Sequence, residues 1–148
     1  MRAVPAALFA LFLTAGTAFA LPVENISVDT AKGHATLKVE VAGDHASQEK
    51  GLMYRKKMAA NAGMLFDFHT TVMTSFWMKN TILPLDIIFI RTDGTVSSIA
   101  ANAVPMSETP IPSSEPVQAV LELNAGRAAQ LGIVPGDKVH SAIFKPAR

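Results

Sequence analysis

The chain has 148 residues, with 13 basic and 12 acidic side chains, 49% hydrophobic residues and no cysteine. This length and hydrophobic fraction predict one folded domain rather than a disordered chain. The near-zero net charge lacks the basic footprint that nucleic-acid binding requires. Without cysteine, disulfide scaffolds, thiolate metal sites and cysteine nucleophiles are all excluded.

The first twenty residues have the pattern of a secretory signal. Arg2 precedes an apolar run, and the segment ends in an A-x-A sequence at Ala20. This pattern predicts a signal peptide over residues 1–20, cleaved after Ala20, and a single β-rich domain over residues 21–148. We therefore expect an exported protein, periplasmic or secreted. A retained membrane anchor is the alternative, but no later apolar run is long enough for a transmembrane segment.

Alternating apolar and polar residues predict a pair of strands at the start of this domain. Asn25–Thr30 and Ala35–Ala42 are expected to form a hairpin joined by a turn at residues 31–33. Asp44 then resembles the N-cap of a short helix over His45–Tyr54. A hairpin followed by one helix is therefore the expected beginning of the fold.

Strand signals dominate the middle of the chain, after a loop over residues 56–62. The predicted strands are Gly63–Phe68, Thr74–Lys79, Leu85–Arg91 and Thr95–Ala103. Asp93-Gly94, between the last two strands, is a strong hairpin signal. The following segment, Val104–Pro116, is rich in proline and is expected to be a surface loop.

Three short elements are predicted at the end of the chain. Val117–Leu123 is strand-like, Asn124 is placed to cap a helix over Ala125–Leu131, and Lys138–Phe144 is the last strand. About eight short strands and two short helices indicate a mainly β fold, a small antiparallel β-barrel or roll. The strands do not alternate with long helices, which argues against a doubly wound fold.

Several polar side chains interrupt the apolar strands and are candidates for a site. Period-two alternation places Trp77, the only tryptophan, on one strand face with Lys79. Asp86 shares a face with two isoleucines, so its carboxylate must be paired or hydrogen-bonded, with Lys79 or Arg55 as the expected cation. The pair is either structural or functional, and Arg55 alternatively satisfies carbonyls at a helix end. Glu122 lies on an apolar strand face too, so it also needs a structural or functional partner, unless it lies on an edge strand and is exposed to solvent.

Metal and catalytic motifs are not apparent in the sequence. The four histidines show neither H-x-H nor H-E-x-x-H spacing, which argues against a zinc hydrolase. Methionine thioethers bind Cu(I) in exported proteins, but Met53, Met64 and Met78 lie in apolar runs typical of core packing. No metal or other cofactor is therefore predicted. A nucleophile elbow, a phosphate loop and a dinucleotide fingerprint are also missing.

A series of ordered motifs resembles a known family. The motifs are Gly51–Arg55, Gly63–Phe66, Phe76–Thr81, Pro84–Ile90, Ser107–Pro110, Val120–Leu123, Gly126 and the stretch from Gly132 to Asp137. Over roughly residues 26–144 the chain resembles the bacterial and archaeal domain of unknown function 192, also called uncharacterised protein family 0127. The resemblance implies a mostly β, barrel-like domain, often exported behind a signal peptide or membrane anchor, and implies no established reaction or ligand.

The same resemblance singles out candidate ligand-binding residues. They are Arg55, Trp77, Lys79, Asn80, Asp86, Ser107 and Glu122. The segment Lys57–Ala62 departs from the family pattern, because it lacks acidic residues that many members carry there. A role for that loop in any site is therefore in doubt, whereas the expected fold is unaffected.

Three functions remain open on the sequence alone. The favoured one is a binding module for a sugar or a small anionic metabolite, with Trp77, Lys79, Asn80 and Asp86 in its pocket. The second is an envelope interaction protein that docks a partner through the loop at residues 104–116. An enzyme that uses Asp86 or Glu122 in acid–base chemistry is the third, and it is disfavoured because no complete set of acid, base and nucleophile is visible.

Overall fold

A computed structural model describes residues 20–144 of the chain. The predicted signal peptide, residues 1–20, lies outside this range apart from Ala20. The strands are β1 Val23–Thr30, β2 Gly33–Ala42, β3 Ala62–Val72, β4 Ser75–Phe76, β5 Leu85–Ile90, β6 Val96–Ala103, β7 Ile111–Pro112, β8 Val117–Asn124 and β9 Lys138–His140. The helices are α1 His45–Lys50 and α2 Arg127–Leu131. The predicted mainly β class with two short helices is confirmed. No helix within residues 20–144 has the length and apolar character needed to cross a bilayer.

Seven of the strands form one strongly curled sheet, in the order β6-β5-β8-β3-β2-β1-β9. An isolated antiparallel bridge between Thr95 and Lys138 brings the two ends of the sheet together. The Val96 amide also donates to the Asp137 carbonyl oxygen at 2.8 Å, and the Val139 amide donates to that of Gly94 at 2.8 Å. The expected barrel or roll is therefore present as a half-barrel, accompanied by a small β4-β7 ribbon.

One pairing in this sheet is parallel rather than antiparallel. β2 and β3 run in the same direction, with Val39 opposite Gly63, whereas every other neighbouring pair is antiparallel. Residues 43–61 connect these two strands, and a link of this length lets the chain return to the same end of the sheet. This crossover carries α1 and contributes to a cavity described below.

The sheet has an apolar core on each face. The inner core draws on all seven strands, which is expected when a curled sheet encloses its own side chains. An outer cluster on the opposite face packs against the loops that contain Leu52, Met78 and Leu83. Along β8 the side chains alternate, so that Leu121 belongs to the inner core and Val120 to the outer cluster. The same alternation directs Glu122 toward the outer face.

The first helix is shorter than the predicted His45–Tyr54. Asp44 caps it as expected, and its carboxylate accepts a hydrogen bond from the Ser47 amide at 2.9 Å. The helix ends at Lys50 because Gly51 takes a positive φ of +47° with ψ −133°, a non-helical conformation that glycine adopts easily. Tyr54 is already in a loop, where its amide donates to the Asn80 carbonyl at 2.9 Å.

The predicted strand Thr74–Lys79 is only partly a strand. β4 covers Ser75 and Phe76, and the chain then forms a loop in which the Met78 amide donates to the Ser107 carbonyl at 2.8 Å. The prediction of a longer strand was wrong because apolar alternation is also met by a loop that buries every second side chain. Met78 is fully buried in this loop, whereas Trp77 is 47% exposed.

The predicted last strand, Lys138–Phe144, is also too long. β9 pairs with β1 only as far as His140, opposite Ser27. After that, the Ala142 amide donates to the Glu24 carboxylate at 2.6 Å, and this contact turns the chain away from the sheet edge.

The second helix is not capped by Asn124, contrary to the prediction. Its N-cap position is Gly126, with φ +82°, and Gly126 itself has no side chain to accept a hydrogen bond. The Asn124 side chain instead donates to the Met58 carbonyl oxygen at 3.0 Å, which ties β8 to the crossover. The acceptor for the helix amides comes from Asp86, far away in sequence.

We expect Gly63→Ala to destabilise the fold by about 1–3 kcal/mol, because the new methyl group overpacks the contact between β3 and β8. A Cβ at Gly63 would lie 2.6 Å from the Glu122 carbonyl oxygen and 2.8 Å from a Leu123 methyl carbon. Urea unfolding monitored by circular dichroism measures the effect. Gly43→Ala is the control, since its Cβ would meet only the His69 ring at 3.6 Å. Equal unfolding midpoints for the two variants would contradict the prediction.

Candidate functional site

A cavity of about 630 Å³ opens on the outer face of the sheet. Its walls come from α1 and the following turn, from β3, and from the segment Thr74–Thr81, with Glu122 of β8 among the lining residues. Cavities of roughly 300–1,000 Å³ with apolar walls and a few polar groups are typical of small-molecule sites. This cavity is therefore the candidate site among residues 20–144.

Glu122 forms the buried acidic end of this cavity. Its side chain is 4% exposed and lies between Met64 of β3 and Ile87 of β5, its neighbours across the two strand pairings. Within the described residues, no group hydrogen-bonds its carboxyl, and burial alone raises the pKa of Glu122 to about 8. Glu122 is therefore largely uncharged at pH 7. β8 lies in the middle of the sheet, so the alternative of a solvated edge-strand glutamate is wrong.

Three phenylalanines contribute aromatic surface to the cavity. Phe66 and Phe68 lie on one face of β3, and Phe76 comes from β4. The Phe66 and Phe76 ring centroids are 5.0 Å apart in an edge-to-face arrangement, and those of Phe68 and Phe76 are 6.4 Å apart. The sequence analysis did not select these rings. The spacing of Phe66 and Phe68 predicts a shared strand face, but only the fold shows that this face lines a cavity.

Trp77 and Lys79 extend the cavity lining to the solvent-exposed surface. The Lys79 ammonium lies 4.9 Å from the Trp77 ring centroid, within the range of a cation–π contact, and 3.5 Å from the Glu108 carboxylate. Asn80 also lines the cavity and has a left-handed backbone, with φ +53°. The predicted neighbourhood of Trp77, Lys79 and Asn80 therefore coincides with this part of the cavity.

Arg55 is not a cavity residue. Its guanidinium makes a two-pronged ion pair with Glu40 of β2, which includes a 2.9 Å hydrogen bond from Nη2 to Oε1. These hydrogen bonds raise the pKa of Arg55 above its usual value. The ion pair links the crossover to β2, and the Arg55 guanidinium is already bound to the Glu40 carboxylate.

Asp86 is fully buried and is held by backbone amides rather than by a cation. It accepts hydrogen bonds from the amides of Asn102 at 2.9 Å, Gly126 at 3.1 Å and Ala128 at 2.9 Å. The inference that its carboxylate must be hydrogen-bonded is confirmed, whereas the expected partners Lys79 and Arg55 are wrong. Both carboxylate oxygens are engaged, so Asp86 joins β5 to β6 and to the start of α2.

Ser107 also has a local role in the loop between β6 and β7. Its hydroxyl oxygen accepts a hydrogen bond from the Thr109 amide at 3.2 Å. Ser107 is not a cavity residue.

Four of the seven residues selected from the sequence line the cavity, namely Trp77, Lys79, Asn80 and Glu122. The other three, Arg55, Asp86 and Ser107, do not. No group of three or more histidine, aspartate or glutamate side chains in residues 20–144 is arranged to hold a metal ion.

Two solved structures resemble this chain closely. A proposed transcription regulator from Sinorhizobium meliloti 1021 is 50% identical, with a TM-score of 0.82, and the match covers 84% of this chain and 98% of that one. A protein of unknown function from Novosphingobium aromaticivorans DSM 12444 is 45% identical, with a TM-score of 0.80, and the match covers 92% and 94% of the two chains. The half-barrel is therefore shared with these two bacterial proteins.

No curated protein matches the chain. The family model DUF192, described as an uncharacterised ACR, matches residues 27–141. This match spans most of the chain and agrees with the resemblance carried by the sequence motifs. The chain belongs to the DUF192 family.

Proposed function

We propose that this protein is an exported small-molecule-binding module whose ligand enters the outer-face cavity and contacts Glu122. The observation that carries the proposal is a buried carboxyl that lines an accessible cavity and has no hydrogen-bond partner among the described residues. The Glu122 carboxyl oxygens are open to the cavity, since within residues 20–144 the enclosed side-chain atom without a hydrogen-bond partner is Arg127 Nε. A ligand in the cavity can therefore supply the partner that the Glu122 carboxyl lacks within the protein.

The aromatic lining supports binding of an organic molecule rather than a simple ion. Phe66, Phe68 and Phe76 offer apolar surface, and Trp77 adds an exposed ring. Trp77 and Lys79, which belong to the pocket expected from the sequence, lie at the solvent-exposed edge of the cavity. Asp86, which was expected to share the pocket, is hydrogen-bonded elsewhere, so Glu122 takes its place as the acidic group of the site.

A second candidate function is docking of an envelope protein. Four apolar side chains on three loops are each about half exposed or more, namely Tyr54, Ile82, Val104 and Met106. Backbone hydrogen bonds join these loops, including one from the Met106 amide to the Thr81 carbonyl at 3.0 Å. Exposed apolar side chains grouped in this way are typical of interaction surfaces.

Acid–base catalysis ranks third. Of its two candidate acids, Asp86 is hydrogen-bonded to three backbone amides, which leaves Glu122 alone.

Ligand binding is expected to change the fluorescence of Trp77, because the only tryptophan of the chain lines the cavity. A compound library is screened against the full-length chain by tryptophan emission and by shift of the melting temperature. Glu122→Leu keeps the wall apolar but removes the carboxyl, so we expect at least a tenfold loss of affinity for a hit.

Glu115→Gln is the matched control and should retain the affinity. Glu115 is paired with Arg91 and is not a cavity residue. Hits that bind Glu122→Leu as tightly as the wild type would contradict the proposed site. If no class of compound changes either signal, the binding function itself is refuted.

A further inference from the structure

Among residues 20–144, the interior of the cavity has one ionisable group, Glu122, and no cation that hydrogen-bonds it. The other ionisable side chains that line the cavity are His45, Glu49, Lys50 and Lys79. All four are more exposed to solvent than Glu122, and none of them hydrogen-bonds it. A ligand that reaches Glu122 therefore meets a carboxyl group surrounded by aromatic and aliphatic carbon.

Two of the polar side chains that line the cavity, Gln48 and Thr81, have no hydrogen left for a ligand. Gln48 donates its amide to the carbonyl oxygens of Ala42 at 3.2 Å and Asp67 at 2.7 Å. Thr81 donates its hydroxyl to the Lys79 carbonyl at 3.0 Å. A sugar needs several donors and acceptors around its ring, and an anion needs donors or a cation at its charged end. Among residues 20–144, the buried part of this cavity offers the Glu122 carboxyl and no cation, which is less than either ligand needs.

An organic amine fits this arrangement better. An ionised carboxylate accepts hydrogen bonds at two oxygens, and an ammonium group donates up to three. The aromatic rings of Phe66 and Phe76, which meet edge to face, add surface that attracts a cation. The amine supplies the counter-charge that the described residues do not offer to Glu122.

We infer that the cavity binds a small organic amine, with its ammonium group against the Glu122 carboxylate and its carbon body among the phenylalanine rings. This inference rests on the proposed binding function and names the ligand class of the same cavity. It departs from the sugar or anionic metabolite indicated by the sequence, because Asp86, the acid expected in that pocket, is hydrogen-bonded elsewhere and Glu122 is the buried acid that lines the cavity.

Three ligands with the same aromatic body and different end groups test the inference. Phenethylamine, phenethyl alcohol and phenylacetate are titrated into the full-length chain at pH 8, with Trp77 emission and calorimetry as readouts. We expect the amine to bind at least tenfold more tightly than the other two. This preference should disappear in Glu122→Gln, which keeps the size of the side chain, and persist in Glu115→Gln.

The pH dependence gives a second readout. Glu122 must lose its proton to pair with the amine, so binding should strengthen by up to roughly 50-fold between pH 6 and pH 8 and release protons at pH 6. Histidine also changes charge in this range, so the series is repeated in His45→Gln. A ligand that binds through the neutral carboxyl would instead weaken as the pH rises.

The possible results separate the inference from the function on which it rests. Tighter binding of the alcohol or of phenylacetate, or binding of the amine that weakens with rising pH, overturns the amine inference and leaves the binding function intact. No binding by any of the three, together with a library screen that finds no ligand, overturns both.

Discussion

Asp86→Asn is expected to lower the free energy of unfolding by about 3–5 kcal/mol. The Asp86 carboxylate receives three backbone amides in a fully buried position. Asparagine keeps one of the two acceptor oxygens and places an NH₂ group against an amide donor. At least one buried amide then has no acceptor, and the charge that strengthened the other hydrogen bonds is lost. Thermal and urea unfolding measure the effect.

Lys79→Met is the control for this experiment. Lys79 contacts an exposed glutamate and the half-exposed ring of Trp77, and such surface contacts contribute about 1 kcal/mol or less. We therefore expect its melting temperature to stay within a few degrees of the wild type. Asp86 is assigned as a structural group and Lys79 as a surface group. If Lys79→Met lowered the free energy of unfolding as much as Asp86→Asn, this assignment would be wrong.

Glu122 is expected to make the fold less stable as the pH rises from 5 to 8. Burial raises the pKa of the folded-state carboxyl to about 8, above its ordinary value of 4.5, so the folded chain holds a proton that the unfolded chain releases. Unfolding therefore becomes easier with increasing pH by about 1.4 kcal/mol per unit within this window. The total over the window is on the order of 3 kcal/mol.

Glu122→Gln should remove this dependence, because the amide does not titrate. The wild type and the variant are compared by urea unfolding at several pH values between 5 and 8. At pH 8 the variant should have the higher free energy of unfolding. Glu115→Gln serves as the control. The hydrogen bond from Arg91 lowers the pKa of Glu115, so the stability that Glu115 contributes is lost only in acid, below pH 5. Parallel profiles for the wild type and Glu122→Gln would show that Glu122 is not the buried acid described here.

Local patterns were sufficient to predict most strands to within about two residues, but they did not predict the ends of β3, β4 and β9. Alternation located β2, the strand-like run Val117–Leu123 located β8, and Asp93-Gly94 marked the turn between β5 and β6. The end of α1 depended on how Gly51 is packed, since glycine alone does not specify a positive φ. The parallel pairing of β2 and β3 depends on where a long link crosses the sheet, which periodicity does not encode.

The candidate site also combines features that local sequence predicts with features that depend on distant parts of the chain. Trp77, Lys79 and Asn80 are adjacent in sequence, so their proximity in the cavity follows from one segment. The partners of Asp86 are backbone amides of Asn102, Gly126 and Ala128, and backbone amides have no residue-specific signal in a sequence. An acid on an apolar strand face therefore indicates that a partner exists without indicating which one.

The pairing of β1 with β9 also sets the order in which the molecule can be assembled. β9 is the last strand described, and it covers the free edge of the first. A growing chain can form the β1–β2 hairpin early, but the outer edge of β1 stays open until residues 138–140 have been synthesised. An open edge is a template for pairing with other chains, so we expect the chain to be more prone to aggregate before β9 covers residues 27–29 of β1.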